Sequence, residues 1–271
     1  MQRKVVFVTG CTSGIGLAIG KYLLEKGCIV YGTSRTLDDE TLQGIHIYRM
    51  VLEDTASIQK AVNQVIEKEG RIDVLINNAG YGMAGSLEDT SLEELTKVFH
   101  ANVFGLIECC KAVIPHMRKE KSGKIINISS IAGEFGLPFR GVYSASKSAV
   151  DRLSETFRME LRPWNIHVSI IQPGDFKTNI NKNRIVAKKG LDEDSPYYKI
   201  FKREYEQISA EVTKAKDPVL VARAAWKIIR SKKPKMRYPV ATFVQRTSIS
   251  VNRILPSHLF QKILMRIYPI E

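Results

Sequence analysis

The stretch "VTGCTSGIG" (residues 8–16) places three glycines, Gly10, Gly14 and Gly16, between an apolar run and a helix-like segment. The apolar run, "KVVFVT" (4–9), predicts a buried strand, and the residues after the glycines predict a helix. Glycine has no Cβ atom, so the backbone of such a turn can approach a pyrophosphate, whose charge the following helix N-terminus stabilises. A tight turn without a ligand is the alternative. The position directly after the first strand favours the phosphate-binding turn.

The rest of the chain repeats this order of strand and helix. Further apolar, β-branched runs are "CIVYGTS" (28–34), "IHIYRMV" (45–51), "DVLINNA" (73–79), "GKIINISS" (123–130), "HVSIIQPG" (167–174) and "RYPVAT" (237–242). Helix-like segments include 15–26, 56–69, 92–119, 143–162 and 218–231. Continuous apolar strands that alternate with amphipathic helices predict a parallel sheet covered on both faces. We therefore predict an α/β fold in one domain (residues 1–271), with a doubly wound, Rossmann-type parallel sheet of about seven strands.

Composition places the chain among ordinary globular proteins. Its 271 residues can bury a sizeable core, and 44% are hydrophobic while 25% are charged. No run of about 18 apolar residues stands out, and the start leads directly into the first strand, so we expect a cytoplasmic protein. The four cysteines, at positions 11, 28, 109 and 110, show neither metal-ligand nor disulfide spacing. We expect free, mostly buried thiols and no metal site.

Positive charge is concentrated in the last third of the chain. The formal net charge is +13; residues 1–180 carry 21 Lys/Arg against 20 Asp/Glu, whereas residues 181–271 carry 20 against 8. A solvated basic face explains this excess without a ligand. Attraction to a phosphorylated substrate or a membrane surface is the functional alternative. Because no nucleic-acid-binding motif accompanies the charge, we expect no nucleic acid partner.

Five further motifs follow the glycine turn in a fixed order. They are "NNAG" (77–80), "NVFG" (102–105), "NISS" (127–130), "YSASK" (143–147) and "PGDFKT" (173–178). Together with the spacing Thr-Gly-x-x-x-Gly-x-Gly, they resemble the short-chain dehydrogenase/reductase family over most of residues 4–180. The resemblance implies an oxidoreductase that transfers a hydride between a nicotinamide cofactor and a carbonyl or alcohol. The layout of the chain, including "RYPV" (237–240) and the C-terminal "ILPSHL" (254–259), is similar to family branches that act on hydroxysteroids, retinoids and acyl-dihydroxyacetone phosphate. This second resemblance is looser than that of the core motifs.

Tyr143 and Lys147 are one helical turn apart, on one face. A tyrosine whose pKa is near 10 exchanges protons slowly at neutral pH, and a nearby ammonium favours the phenolate. We therefore predict Tyr143 as the general acid in reduction and the base in oxidation, with Lys147 lowering its pKa and holding the nicotinamide ribose. Ser130 would donate a hydrogen bond to the substrate oxygen. By the family resemblance, Asn102 would hold a water that links Lys147 to solvent.

The end of the second strand bears on the choice of cofactor. An acidic residue there would bind both ribose hydroxyls of NAD, whereas an arginine accommodates the 2′-phosphate of NADP. Here Ser34 and Arg35 predict NADP(H). The family commonly has an aspartate after the third strand, and this chain has Val51 and Leu52 instead, which removes one polar contact to adenine. The predicted cofactor contacts are Gly10, Thr12, Ser13, Gly14, Ile15, Gly16, Ser34, Arg35, Val51, Leu52, Asn78, Ala79, Gly80, Tyr143, Lys147, Pro173, Gly174, Phe176 and Thr178.

Two segments fall outside the regular alternation. Residues 181–216 follow a strand's carboxyl end and are polar, which makes them a candidate substrate lid. Residues 252–271 predict an amphipathic basic helix that docks on the domain or on another subunit, or contacts a membrane surface. Tyr81 and Met83, with Leu137 to Phe139, would form an apolar wall for a lipophilic carbonyl substrate.

Partners and alternatives follow from the same segments. The helices near 92–119 and 143–162 resemble those that form the interface of family dimers and tetramers, so we expect a homodimer or homotetramer. A cofactor-binding regulatory or scaffold protein, and a peripheral membrane-associated lipid reductase, remain the alternatives.

Overall fold

A computed structural model describes residues 3–177, 183–213 and 215–268. Its centre is an eight-stranded sheet in the order β10-β8-β7-β5-β1-β2-β4-β3. The strands are β1 Val5–Val8, β2 Ile29–Ser34, β3 Glu40–Leu42, β4 Ile45–Arg49, β5 Val74–Asn77, β7 Gly123–Ile128, β8 Ile166–Pro173 and β10 Arg237–Val240. Two short strands, β6 Met83–Ala84 and β9 Ile185–Val186, pair with each other outside this sheet.

The predicted α/β fold is confirmed, and its central sheet has eight strands where about seven were predicted. All seven predicted strands are present and pair in parallel. The additional strand, β3, pairs antiparallel with β4 at the sheet edge. It has only three residues, Glu40–Leu42, two of them polar, so no apolar run marked it in the sequence. The chain runs outward from β1 through β2 to β4 and then crosses back to β5, which opens a crevice beyond the carboxyl ends of β1 and β5.

Helices cover both faces of the sheet. They are α1 Gly14–Glu25, α2 Thr55–Glu69, α3 Leu92–Phe99, α4 Gly105–Lys119, α5 Gly141–Glu160, α6 Tyr198–Thr213, α7 Val219–Arg230, α8 Phe243–Ile254 and α9 Ser257–Ile267. Alternate residues of β1 point to opposite faces: Val5 and Phe7 pack with α2, α4 and α5, and Val6 and Val8 pack with α1 and α7. Burial on both faces explains why the strands read as continuous apolar runs.

One continuous helical segment, Leu92–Lys119, comprises α3, a five-residue π-helical turn at His100–Phe104, and α4. By length and composition alone this segment could cross a membrane. Most of its apolar window, 61%, is buried inside the fold, which is the pattern of a core helix. Its buried apolar residues, most of them in α4, pack against the sheet and α2, so the fold accounts for the apolar window.

The C-terminal segment differs from the single helix predicted over 252–271. The chain forms two helices, α8 and α9, separated by Leu255 and Pro256. Leu255 is extended, with ψ of 144°, because the residue before a proline avoids the helical region. Phe260 of α9 is 4% exposed and meets Phe135 edge-on, at 5.0 Å between ring centroids. This end of the chain therefore docks on its own domain, and residues 269–271 lie outside the described part.

Candidate active site

A cavity of about 620 Å³ lies beyond the carboxyl ends of the central strands. Its lining brings together most of the predicted site residues: Gly10, Thr12, Ser13, Gly14, Ile15, Ser34, Arg35, Leu52, Asn78, Ala79, Gly80, Ser130, Tyr143, Lys147, Pro173, Gly174 and Phe176. Three predicted residues, Gly16, Val51 and Asn102, lie behind this lining. Thr178 is outside the described residues. The glycine turn and the Tyr-Lys pair thus share one cavity.

The glycine turn has the geometry that the sequence predicts. Gly10 and Gly14 have φ angles of 66° and 55°, in the left-handed region that favours glycine. A Cβ atom on Gly16 would lie 2.1 Å from the carbonyl oxygen of Gly10, so Gly16 allows α1 to pack closely on the turn. The Asn78 amide nitrogen donates to the carbonyls of Thr9 and Gly10, each at 3.0 Å. The end of β5 thereby holds the turn in place.

The N-terminus of α1 is left free to bind an anion. Ser13 is its N-cap residue, and its side chain makes no capping hydrogen bond. By contrast, Asp54 caps α2 and Ser91 caps α3 through their side chains. The first N–H groups of a helix need acceptors, and a phosphate at this position supplies them together with favourable charge. The residues present therefore fit the diphosphate of a dinucleotide.

At the end of β2, Ser34 and Arg35 have different tasks. Ser34 Oγ accepts from the N–H groups of Thr36 and Leu37, both at 3.2 Å, and so shapes the turn. The exposed Arg35 side chain lies over the Tyr81 ring, at 5.3 Å from its centroid, and hydrogen-bonds the Tyr81 hydroxyl. Tyr81, which was expected in the substrate wall, thus lies at the Arg35 end of the cavity.

The residues after β4 divide in the same way. Leu52 lines the cavity, and the backbone N–H of Val51 donates to Ser57 Oγ of α2 at 2.9 Å. Leu52 is thus placed to contact a cofactor, and the contact predicted for Val51 stays a prediction.

Tyr143 and Lys147 lie in the first two turns of α5. The Lys147 side chain is buried, its Nζ donates to the carbonyl oxygen of Ile128 at 3.0 Å, and it lies 5.9 Å from the centre of the Tyr143 ring. Burial lowers the pKa of Lys147 to about 8, and the carboxylate of Asp151 opposes this shift.

The pKa of Tyr143 departs from the expectation. Burial raises it, and the Ser130 hydroxyl and the cations Arg184 and Arg140 act in the opposite direction. The expected lowering by Lys147 is not found in the protein without cofactor, because desolvation outweighs the attraction of neighbouring cations. The phenol is therefore held protonated at neutral pH.

Spacing alone does not single out this pair, because the chain contains two more Tyr-x-x-x-Lys pairs on helices. Lys26 lies 5.0 Å from the ring of Tyr22 on α1, and Lys202 lies 5.5 Å from the ring of Tyr198 on α6. Both of these lysines are exposed. Only Lys147 of the three is buried beside the cavity, and this burial perturbs its pKa.

Ser130 and Asn102 support the site from two sides. Ser130 Oγ accepts from the N–H of Ala132 at 3.1 Å and faces the cavity. Asn102 lies in the π-helical turn, where its side chain accepts the N–H of Tyr81 at 2.8 Å and donates to the Tyr81 carbonyl at 2.9 Å and to Ser146 Oγ at 3.0 Å. Asn102 thus ties α5 to the loop between β5 and β6, and its role in a proton relay stays a prediction.

Sequence reasoning missed three charged groups close to Tyr143 and Lys147. Asp151 is buried one turn beyond Lys147 and accepts from Gln172 Nε2 at 2.9 Å. Arg140, just before α5, and Arg184, next to β9, both line the cavity. The i, i+4 spacing from Lys147 to Asp151 was a usable signal. Nothing in the sequence pairs residue 140 with residue 184, since their proximity arises from the tertiary fold.

The four cysteines take no part in the site. All are free and buried, as predicted. Burial raises the pKa of Cys11 and Cys110 to about 12, so neither is a nucleophile at neutral pH.

Comparison with known proteins decides the family. The family model described as short chain dehydrogenase matches residues 4–189. The chain belongs to this family. It is therefore an oxidoreductase that acts on CH–OH groups and has the fold of nicotinamide dinucleotide-binding enzymes. The family assignment agrees with the glycine turn and with the Tyr-Lys pair in the cavity.

One relative and two solved structures extend the comparison to most or all of the chain. Over 272 residues the chain is 40% identical to the 3-ketodihydrosphingosine reductase of Bacteroides thetaiotaomicron, with 100% of both chains covered. A short-chain dehydrogenase from Streptomyces avermitilis superposes with a TM-score of 0.82 at 29% identity, covering 93% of this chain and 92% of that chain. A structure of ElxO with NADP bound superposes with a TM-score of 0.72 at 25% identity, covering 89% and 97%.

Proposed function

We propose that the protein reduces a lipophilic ketone or aldehyde to an alcohol with NADPH, or catalyses the reverse oxidation. The observation that carries the proposal is the shared cavity, in which Tyr143, Ser130 and Lys147 face the space next to the glycine turn. A proton donor, a hydrogen-bond donor for an oxyanion and a dinucleotide cradle at one place are what carbonyl reduction requires.

Carbonyl reduction adds a hydride to carbon and a proton to oxygen. A bound, reduced nicotinamide supplies the hydride. Tyr143 Oη donates the proton, and its raised pKa keeps it protonated until the alkoxide forms. Ser130 Oγ donates a hydrogen bond to the same oxygen. Lys147 is cationic below its pKa of about 8 and stabilises the phenolate that remains on Tyr143. In the oxidation direction the phenolate accepts the proton.

Apolar walls support a lipophilic substrate. Met83, Phe135, Leu137, Leu264 and Ile267 line the cavity beside the reacting groups. The relative with 40% identity is named as a reductase of 3-ketodihydrosphingosine, a long-chain ketone. We propose residues 183–213 as the cover of this cavity: Phe201 of α6 is fully buried and lies 5.5 Å from Phe139, between ring centroids.

The test is NADPH consumption with 3-ketodihydrosphingosine and with steroid, retinoid and small aromatic carbonyls. We expect turnover of a long-chain ketone and at least a ~100-fold loss of turnover in Tyr143→Phe, with NADPH binding nearly unchanged. Tyr22→Phe is the matched control, because it removes a hydroxyl from a surface Tyr-x-x-x-Lys pair. A Tyr143→Phe protein as active as Tyr22→Phe would remove Tyr143 from the role.

NADP(H) is the proposed cofactor because Ser34 is neutral and Arg35 is an exposed cation without a carboxylate partner among the described residues, held over the Tyr81 ring at the end of β2. We expect at least about tenfold tighter binding of NADPH than of NADH, since a charge-assisted pair contributes about 1.5–3 kcal/mol. Arg35→Gln should abolish the preference. Arg49→Gln, at the end of the neighbouring strand and outside the cavity lining, is the control. Equal affinities in the wild-type protein would refute the assignment.

We further propose that the protein is cytoplasmic and makes a peripheral contact with a membrane surface. Phe243 and Ile254 of α8 are 80% and 81% exposed, and α8 and α9 form part of the cavity rim through Val244, Leu264 and Ile267. Residues 241–268 contain four Lys/Arg and no Asp/Glu. Exposed apolar residues among basic ones suit an anionic lipid surface.

Vesicle binding tests this contact. We expect co-sedimentation with vesicles of anionic phospholipid that weakens with salt, and a loss of binding in the double variant Phe243→Ser/Ile254→Ser. Leu92→Ser is the control, because Leu92 is 78% exposed on a different helix. Binding that is equal in all three proteins, or absent from the wild type, would contradict the proposal.

We propose a homodimer or homotetramer formed through α4 and α5. Phe104 and Met159 are exposed apolar residues at the start of α4 and near the end of α5. Sedimentation velocity measures the mass directly, and a monomer at micromolar concentration would exclude this assembly.

A further inference from the structure

Two arginines converge on the reacting end of the cavity. Arg140 precedes α5, the helix that carries Tyr143, and Arg184 precedes β9. Both line the cavity. Their charges act on the same phenol, since each lowers the pKa of Tyr143. Neither is needed for the proton and hydride steps described above.

Aromatic rings hold both guanidinium groups in place, and some of their N–H groups find no acceptor within the described part of the chain. Arg140 lies over the ring of Tyr268 at 5.1 Å, and Arg184 lies over the ring of Tyr205 at 6.0 Å. Stacking of this kind fixes the plane of a guanidinium and leaves its N–H edges free. Arg140 Nε and Nη2 and Arg184 Nη1 are shielded from solvent and have no hydrogen-bond partner among the residues that the structure describes.

Such groups are unfavourable in an empty cavity. A buried N–H without an acceptor loses its hydration, and the cost is larger for a charged group. The two cations also repel each other: burial, followed by the charge of Arg140, lowers the pKa of Arg184. Asp175 is the acidic group that acts on Arg184 and Tyr143, and its carboxylate already accepts from Gln245 Nε2 at 2.5 Å. One carboxylate does not balance two arginines.

We propose that Arg140 and Arg184 form a binding site for an anionic oxygen-bearing group on the substrate, such as a phosphate, sulfonate or carboxylate next to the carbonyl that Tyr143 protonates. Planar guanidinium edges bind these anions with paired, charge-assisted hydrogen bonds. The apolar walls then hold the hydrocarbon part of the same molecule. The inference rests on the proposed function and narrows its substrate class to anionic amphiphilic carbonyl compounds. An amine next to the carbonyl would instead meet two cations.

Binding of simple amphiphiles tests the site without turnover. Decyl phosphate, decanesulfonate, decanoate and decanol would be titrated calorimetrically into the NADP⁺-loaded protein, below their aggregation concentrations. We expect at least one anion to bind tenfold or more tightly than decanol. Arg140→Gln and Arg184→Gln should each weaken that anion about 10- to 100-fold, since each removes a charge-assisted contact. Arg140→Lys and Arg184→Lys should retain part of the affinity.

Lys202→Gln is the matched control, because it removes one positive charge from an exposed position on α6 that does not line the cavity. Its anion affinity should equal that of the wild type. NADPH affinity should be unchanged in all Gln variants. Thermal unfolding would establish that each variant is folded. Where a Gln variant does not fold, the Lys variant at the same position replaces it in the comparison.

Three results would overturn the inference. Decanol could bind as tightly as every anion, or the Gln variants could bind anions as the wild type does. The anions could also bind only to the cofactor-free protein, which would assign the arginines to the cofactor diphosphate. The proposed reductase activity is judged separately. Turnover of 3-ketodihydrosphingosine, which carries an amine and no anionic group, should survive in both Gln variants and be lost in Tyr143→Phe, so it tests the function independently of the anion site.

Discussion

Asp151→Asn tests whether the charge on Lys147 controls the pH range of activity. The wild-type carboxylate is buried one helical turn from Lys147 and opposes the lowering of its pKa. Asparagine has nearly the same shape and keeps an oxygen that can accept the hydrogen bond from Gln172. The substitution therefore removes one charge with little change in packing. Because a neutral side chain no longer favours the ammonium, the pKa of Lys147 should fall below about 8.

The size of the effect follows from the helix geometry. Two charges about 6 Å apart interact by about 2.8 kcal/mol at an effective dielectric constant of about 20. We take about half of this, roughly one pKa unit, because Arg237 also acts on the same carboxylate. At pH 7.5 the protonated fraction of Lys147 then drops from about three quarters to about one quarter. At pH 6 it stays above about nine tenths in both proteins.

The assay is kcat/KM for ketone reduction between pH 5.5 and 9. Activity that needs the ammonium declines above the pKa of Lys147, so the alkaline limb of Asp151→Asn should lie about one pH unit lower than that of the wild type. The variant should lose about threefold in kcat/KM at pH 7.5 and almost nothing at pH 6. Glu155→Gln is the control, because Glu155 lies one turn further along α5 and pairs with Arg152 and Arg237. Alkaline limbs that coincide in the wild type, Asp151→Asn and Glu155→Gln would refute the electrostatic role of Lys147.

Stability gives a second measurement on the same variant. Burial raises the pKa of Asp151 from 3.8 to about 6. A raised acid pKa means that the fold favours the protonated carboxyl, so this contribution is present at low pH and is lost as pH rises through 6. At pH 8 the asparagine variant should be as stable as the wild type or more stable. The gain in the free energy of unfolding, measured in urea, should be at most about 3 kcal/mol. A clear loss of stability at pH 8 would contradict the pKa assignment.

Three further predictions concern the cradle, the cover and the thiols. Gly16→Ala places a Cβ atom 2.1 Å from the Gly10 carbonyl oxygen and should weaken NADPH binding at least about tenfold. Gly136→Ala is the control, because a Cβ atom there meets no atom within 4 Å and NADPH binding should not change. Equal NADPH affinities of the two variants in fluorescence titrations would contradict this prediction. Phe201→Ala removes the buried ring between α6 and Phe139 and should cost about 3–5 kcal/mol in urea unfolding, with a higher KM; an unchanged KM would argue against a cover. Buried thiols with raised pKa values should not react with Ellman's reagent at pH 8 until the protein unfolds, and rapid reaction of the native protein would refute their burial.

The parts of this protein that are local in sequence were predictable. The parallel strands follow from continuous apolar runs, and the glycine turn follows from its place after β1. The single helix predicted over 252–271 was wrong, although Pro256, which disfavours helical backbone at Leu255, was a usable signal of the α8–α9 break. The short edge strand β3 was not, since its three residues carry no apolar pattern. The π-helical turn that places Asn102 likewise has no signature in periodicity.

Contacts across the cavity depend on the fold as a whole. Tyr81 was assigned to the substrate wall because it follows the "NNAG" motif, but the direction of the chain after β5 brings it under Arg35 instead. Arg140 and Arg184 are 44 positions apart, and their meeting depends on the pairing of β9 with β6. Spacing rules describe neighbours on one helix or strand, so they cannot identify such a pair.

The charges around Tyr143 explain why the family signature alone leaves the substrate open. Lys147 is buried on the same helix, and in the proposed reaction its ammonium serves the proton transfer common to carbonyl reduction. Arg140 and Arg184 add two cations that this reaction does not need, on segments that come from outside the helix. Cations that repel each other in an empty cavity are stabilised when an anion binds, so ligand binding should raise the unfolding free energy by more than a neutral ligand of equal size does. Under the proposed anion site, the reacting groups define the chemistry and the two arginines select which carbonyl compound is bound.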